Sequence, residues 1–187
     1  MEVSNIRSYD FKNIGGADTT CLFDVALNNN ADNILKQLNL EETIRLHKEN
    51  KYKIIRYKKN MLTPEKYDTS GLFRSLIHKD GKIICYAPPK SMEHTSFKDN
   101  VDLANISMEE YVEGTMINMF WTGAEWEIAT RSSVGGNVSF FRNTDKSNNK
   151  TFRQMFLEAI YHNEKDAEEK DFFTALDTVP RDICLTF

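Results

Sequence analysis

Long apolar runs are missing from this chain. No stretch of about eighteen consecutive apolar residues exists, so no segment is expected to cross a membrane. Met1 to Asp10 carries charge and has no apolar centre, so no secretory signal is expected there. Cysteine is scarce: Cys21, Cys85 and Cys184 form an odd, widely spaced set. That argues against a disulfide framework and fits a reducing, intracellular compartment. No Cys or His pair has zinc-finger spacing, so no metal site is expected. An excess of positive charge is also lacking. Lys and Arg number 24 against 28 Asp and Glu, a net charge of -4, which removes any global sign of nucleic-acid binding.

What is present is the composition of an ordinary folded chain. The 187 residues are 40% apolar and 28% charged, enough for one compact domain with a real core. Charge is unevenly placed. Lys48, Lys51, Lys53, Arg56, Lys58 and Lys59 crowd into one segment with Glu49 alone against them. Glu164, Asp166, Glu168, Glu169 and Asp171 make an acidic run. Solvated faces account for both runs, and the basic one also suits the steering of a polyphosphate or RNA.

Residues 1–50 read as an irregular and helical segment, with a short strand around Leu22 to Ala26. A helix capped by Asp32 carries Ile34, Leu35 and Leu38, and a second helix runs from Asn39 and Glu42 through His47. From residue 51 the texture changes to strands: Tyr52 to Tyr57, Leu72 to His78 and Lys82 to Tyr86. Asp80-Gly81 is a hairpin turn, and Pro88-Pro89 ends the ladder. Ser107 to Glu110 is expected to form a helical turn. A second hairpin, Tyr111 to Trp121 and Glu125 to Arg131, turns at Thr122-Gly123-Ala124. Gly135-Gly136-Asn137 is a loop. Thr151 and Gln154 form a capping box opening a helix whose apolar stripe is Phe152, Met155, Phe156, Ala159 and Ile160. A further helix, Ala167 to Leu176, precedes a strand at Ile183 to Phe187. Hairpins, helices and a returning strand predict an α+β fold with a mostly antiparallel sheet and packed helices.

Three stretches carry chemistry by type and order: Leu72 to Ile77 with Gly81 to Lys90, then Tyr111-Val112-Glu113-Gly114-Thr115, then Glu125 to Ser133. From Lys53 to Phe187 their order and spacing resemble the nucleotidyltransferase domain of the bacteriophage type of RNA ligase, and similar proteins of large DNA viruses. The resemblance makes residues 51–187 a partial nucleotidyltransferase-like domain. It implies ATP and Mg2+ as cofactors of an active enzyme, and nucleotide and RNA as partners. In that family a lysine attacks the α-phosphate of ATP to form lysyl-AMP, and the AMP passes to an RNA 5′-phosphate. Carried over, Arg74 and Lys90 become phosphate-contacting cations, Glu113 the ribose contact, Gly114 a close-approach glycine and Thr115 a small hydroxyl residue. Arg131 then lies beside the nucleotide or RNA.

The departures from the family pattern are as informative. The nucleophile's position holds Tyr111, whose phenol, with an ordinary pKa of about 10, is a poor substitute for lysine. The family's later Glu-Gly and Lys-x-Lys motifs are absent. The resemblance therefore implies an RNA ligase-like pseudoenzyme impaired in adenylylation, or a fragment of an active ligase whose remaining motifs lie beyond Phe187. Both belong in the cytoplasm, of a virus-infected host or otherwise, or in a virion.

A different class of function is an assembly protein on a recycled catalytic fold, with self-association or a protein partner at residues 183–187. At individual positions plainer roles compete. Arg74 suits an ion pair, Lys90 a solvated loop, and Trp121 with Trp126 cross-strand packing rather than base stacking. Met116, Met119 and Phe120 read as core. The four histidines share no spacing that suggests catalysis.

Overall fold

The computed structural model describes residues 13–14, 17–18, 23, 27, 32–100, 102, 104, 106, 108, 110, 113–139, 149–161, 173 and 176–187. The fold is α+β, with antiparallel sheets and helices packed on them. A two-stranded ribbon, β1 (Asn13–Ile14) with β2 (Ala17–Asp18), precedes helix α1 (Asp32–Gln37). The main sheet has the order β3-β4-β5-β6, formed by Leu40–His47, Asn50–Tyr57, Leu76–Lys79 and Lys82–Tyr86. Helix α2 (His94–Asn100) follows. A second sheet has the order β8-β7-β9, from β7 (Asn118–Trp121), β8 (Trp126–Ala129) and β9 (Cys184–Thr186). Helix α3 (Phe152–Tyr161) lies between β8 and β9 in sequence.

The second helix expected from Asn39 through His47 is instead strand β3. Asn39 takes φ 53, the left-handed conformation that ends a helix, and turns the chain out of α1. Eight register pairs then join β3 to β4, from Leu40 opposite Tyr57 to His47 opposite Asn50. The turn between them is Lys48 (φ 45) and Glu49 (φ 63), a two-residue connection of the mirror-image type made without glycine. The pairing of Thr43 and Ile44 with β4 outweighs the modest helix propensity of Glu41 and Glu42. Phe23 and Leu27 are helical, not part of the strand expected around Leu22 to Ala26.

Other boundaries move less. Asp80 and Gly81 both have positive φ and close the predicted β5–β6 hairpin. Ser70–Leu72 is a 3-10 turn, so the strand expected from Leu72 starts only at Leu76. β7 begins at Asn118 rather than Tyr111, and β8 ends at Ala129 rather than Arg131. The capping box at α3 forms as expected: Thr151 N–H donates to Gln154 Oε1 at 2.9 Å, and Gln154 N–H to Thr151 Oγ1 at 3.2 Å. The buried stripe of α3 is rotated from expectation. Phe152, Phe156, Leu157 and Ile160 face the core, while Met155 is exposed. The helical turn at Ser107 to Glu110 and the helix at Ala167 to Leu176 lie largely outside the described residues.

The sheets stack through three apolar clusters. One face of the main sheet, with Leu40, Ile55, Leu76 and Tyr86, packs on Phe23, Leu35 and Phe73. Its other face, with Tyr52, Ile54, Ile77 and Cys85, packs on Phe120 and Ala129 of the second sheet. The far face of the second sheet, Met119 and Ile128, receives Phe156 of α3. Each such buried large side chain contributes about 2 kcal/mol from area removed from water. No helix among the described residues is long and apolar enough to cross a membrane.

Candidate functional site

Of the two arginines singled out from sequence, Arg131 is fixed against Tyr57, and Arg74 lies within its electrostatic range. Tyr57 ends β4 and its N–H donates to Phe73 O at 2.8 Å, which sets Arg74 beside it. Arg131 leaves the tip of a tight turn after β8. There Thr130 N–H donates to Ser133 O at 2.9 Å, and the Thr130 and Ser133 hydroxyls lie 3.0 Å apart. Arg45 Nε fixes the turn from β3 by donating to Ser132 O at 2.9 Å. The Arg131 guanidinium stacks on the Tyr57 ring, 4.8 Å from its centroid, and donates from Nη2 to Tyr57 O at 3.0 Å.

Charge at this point is unbalanced. Burial pushes the Arg131 pKa down; Tyr57 and Glu41 oppose that shift, and the neighbouring charges of Arg56 and Arg74 add to it. Arg56 is engaged, its Nε 2.6 Å from Glu41. Among the described residues nothing accepts a hydrogen bond from the buried Nε of Arg131, and no carboxylate pairs with Arg74. The buried hydroxyl of Ser75, next in sequence, also lacks a partner there. Surplus donors with a fixed, stacked guanidinium form an arrangement suited to an oxyanion.

The remaining expected residues are dispersed. Lys90 Nζ donates to its neighbour Ser91 O at 2.6 Å and lies 5.9 Å from the Tyr67 ring centroid. Its side chain is thus engaged locally. Glu113, Gly114 and Thr115 are exposed and precede β7. A Cβ on Gly114 would meet nothing, so packing within the chain does not require glycine there. Tyr111 and Val112 lie outside the described residues. The basic segment from Lys48 to Lys59 does not form one face: the alternation of β4 separates Lys51 and Lys53 from Arg56. Lys48, Lys53 and Arg56 are moreover ion-paired to glutamates. Trp121 and Trp126 pack edge-to-face at 5.8 Å, and Arg181 covers Trp121 at 4.2 Å, the structural use of that pair.

Sequence reasoning missed the most heavily partnered charge. Glu127 on β8 is fully buried. Its Oε2 lies 2.7 Å from His47 Nε2 and 3.2 Å from Lys48 Nζ. Its Oε1 accepts the Ile128 N–H at 2.8 Å and a hydrogen bond from Arg153 Nη1. Burial alone would raise the Glu127 pKa, but hydrogen bonds from Arg153, Ile128 N–H and His47 outweigh it and hold the pKa at about 2. Such a carboxylate stays ionised at neutral pH and makes a poor general acid or base. Its effect is to tie the β3–β4 turn, β8 and the start of α3 into one unit. Only the spacing of Glu127 within a buried strand pattern hinted at it; its partners are 80 and 26 residues away.

No family model, curated protein or solved structure matches this chain.

Proposed function

We propose that this chain is an RNA ligase-like protein of nucleotidyltransferase type that binds the phosphate of a nucleotide or RNA strand through Arg74 and Arg131. Covalent nucleotidyl transfer is lost with the lysine that Tyr111 replaces, so ATP and Mg2+ serve no catalytic step. The observation that carries the reading is Arg131, stacked on Tyr57 with a buried Nε that has no partner among the described residues, with the charge of Arg74, 57 positions away, within its electrostatic range. The order of hairpin, second hairpin and Thr130-Arg131-Ser132-Ser133 turn supports it.

The test is fluorescence anisotropy with short single-stranded RNA, with and without a 5′-phosphate, alongside incubation with radiolabelled ATP or GTP, magnesium or manganese, and denaturing electrophoresis. Phosphate-dependent binding without a covalent adduct is expected. An adduct overturns the loss of transfer, and indifference to the phosphate overturns the binding reading. A second reading, an assembly protein on the same scaffold, is favoured by Ile44 (49% exposed) and Leu46 (77% exposed), two apolar side chains on the edge strand β3. It expects concentration-dependent light scattering that Leu46→Lys abolishes.

A further inference from the structure

The edges of the two sheets meet at a pair of thiols. β6 is an outer strand of the main sheet and β9 an outer strand of the second. Between them, the Tyr86 N–H donates to Cys184 Sγ at 3.5 Å, and the Cys184 thiol donates to Tyr86 O at 3.1 Å. Cys184 thus ties β9 to β6. Cys85, buried in β6, belongs to the apolar cluster against which Cys184 packs, although 99 positions separate the two. Both are free thiols.

We propose that Cys85 and Cys184 form a reversible disulfide that latches β9 to β6. Side chains packed in one cluster, on strands already joined through Tyr86, are placed to reach bonding geometry by side-chain rotation and a strand shift. β9 is held to β7 by three register pairs, with two backbone hydrogen bonds between Ile117 and Phe187 beside them, so a small opening exposes Cys184 first. Cys184, partly exposed while Cys85 is not, is the attacking group. Hydrogen bonds from the Cys85 thiol and the backbone outweigh burial and draw its pKa down to about 7. The oxidant is a low-molecular-weight disulfide such as oxidised glutathione. The Cys184 thiolate attacks one of its sulfurs and expels a glutathione thiolate. Cys85, deprotonated as it attacks, then displaces the second glutathione from Cys184. Two electrons pass to glutathione, and the two cysteine protons end on the two glutathione thiols.

The test uses the full chain carrying Cys21→Ser, which removes the third thiol. The folded protein is equilibrated in glutathione buffers of graded ratio, quenched with an alkylating agent, and analysed by intact mass and peptide mapping. Expected are the loss of two hydrogens, a cross-link joining the Cys85 and Cys184 peptides, and reversal by dithiothreitol. The long loop closed should raise the melting temperature by at least about 5 °C. Cys85→Ser should instead stop at a glutathione adduct on Cys184. Two thiols that stay alkylatable in the Cys21→Ser chain, a glutathione adduct there with no cross-link, or a cross-link without a gain in melting temperature would each overturn the proposal.

Discussion

Gly135 leaves the space that the imidazole of His47 fills. A Cβ built on Gly135 would stand 2.6 Å from His47 Nδ1, and the residue has φ 85, a conformation that side-chain-bearing residues rarely adopt. Gly135 N–H donates to Ile128 O at 2.7 Å, and Gly135 O accepts from Arg153 Nη1 at 3.1 Å. The glycine therefore sits inside the knot around Glu127, and its lack of a side chain lets His47 reach the carboxylate.

Gly135→Ala should displace the His47 ring as well as strain the backbone. A loss of at least about 2 kcal/mol in denaturant unfolding is expected, larger than the strain alone. A change at Gly123 (φ 103) tests the distinction, because a Cβ there meets nothing. Equal losses at the two glycines would show that the His47 contact contributes nothing.

Glu127 should make the protein acid-sensitive. Its folded pKa of about 2 lies below the ordinary 4.5, so its stabilisation is full above about pH 4.5 and is lost as pH falls towards 2. The shift corresponds to about 3 kcal/mol. Glu127→Gln should cost a similar amount at pH 7 and flatten the stability profile between pH 4.5 and 2, measured by urea unfolding at each pH. An unchanged profile in the variant refutes the assignment.

Arg131→Lys should not preserve phosphate binding. Lysine keeps the charge but loses the planar stack on Tyr57 and the fork that reaches Tyr57 O. Both Arg131→Lys and Arg74→Ala should weaken binding of 5′-phosphorylated RNA by about tenfold or more. Lys90→Ala should change it little, since Lys90 is engaged with Ser91. Full binding by Arg131→Lys would mean that charge alone suffices.

Thr151→Ala should remove one half of the capping box and cost about 1 kcal/mol by thermal or urea unfolding. Arg153 is the next residue but one, so fraying of α3 should also loosen its hold on Glu127. The same substitution is therefore expected to move the acid midpoint of the protein upward.

Local chemistry by itself determined a good part of this protein. Asp80-Gly81 specifies its hairpin because both positions tolerate positive φ. Thr151 with Gln154 specifies the start of α3 because each side chain satisfies the other's backbone N–H. The α+β class follows from such elements in order, and Arg74 and Arg131 were legible as cations, though the stacking of Arg131 on Tyr57 was not. The tertiary structure decided the rest. Asn39 to His47 became a strand because eight pairs with β4 outweigh a weak helix preference, and Lys48-Glu49 carries no turn signature. The basic run divided because strand alternation sends neighbouring cations to opposite faces and cross-strand glutamates pair with them. The Glu127 knot and the Cys85–Cys184 contact join positions far apart in the chain. Such contacts leave no periodic trace in sequence, because they depend on which strand edges and loops the folded core brings together.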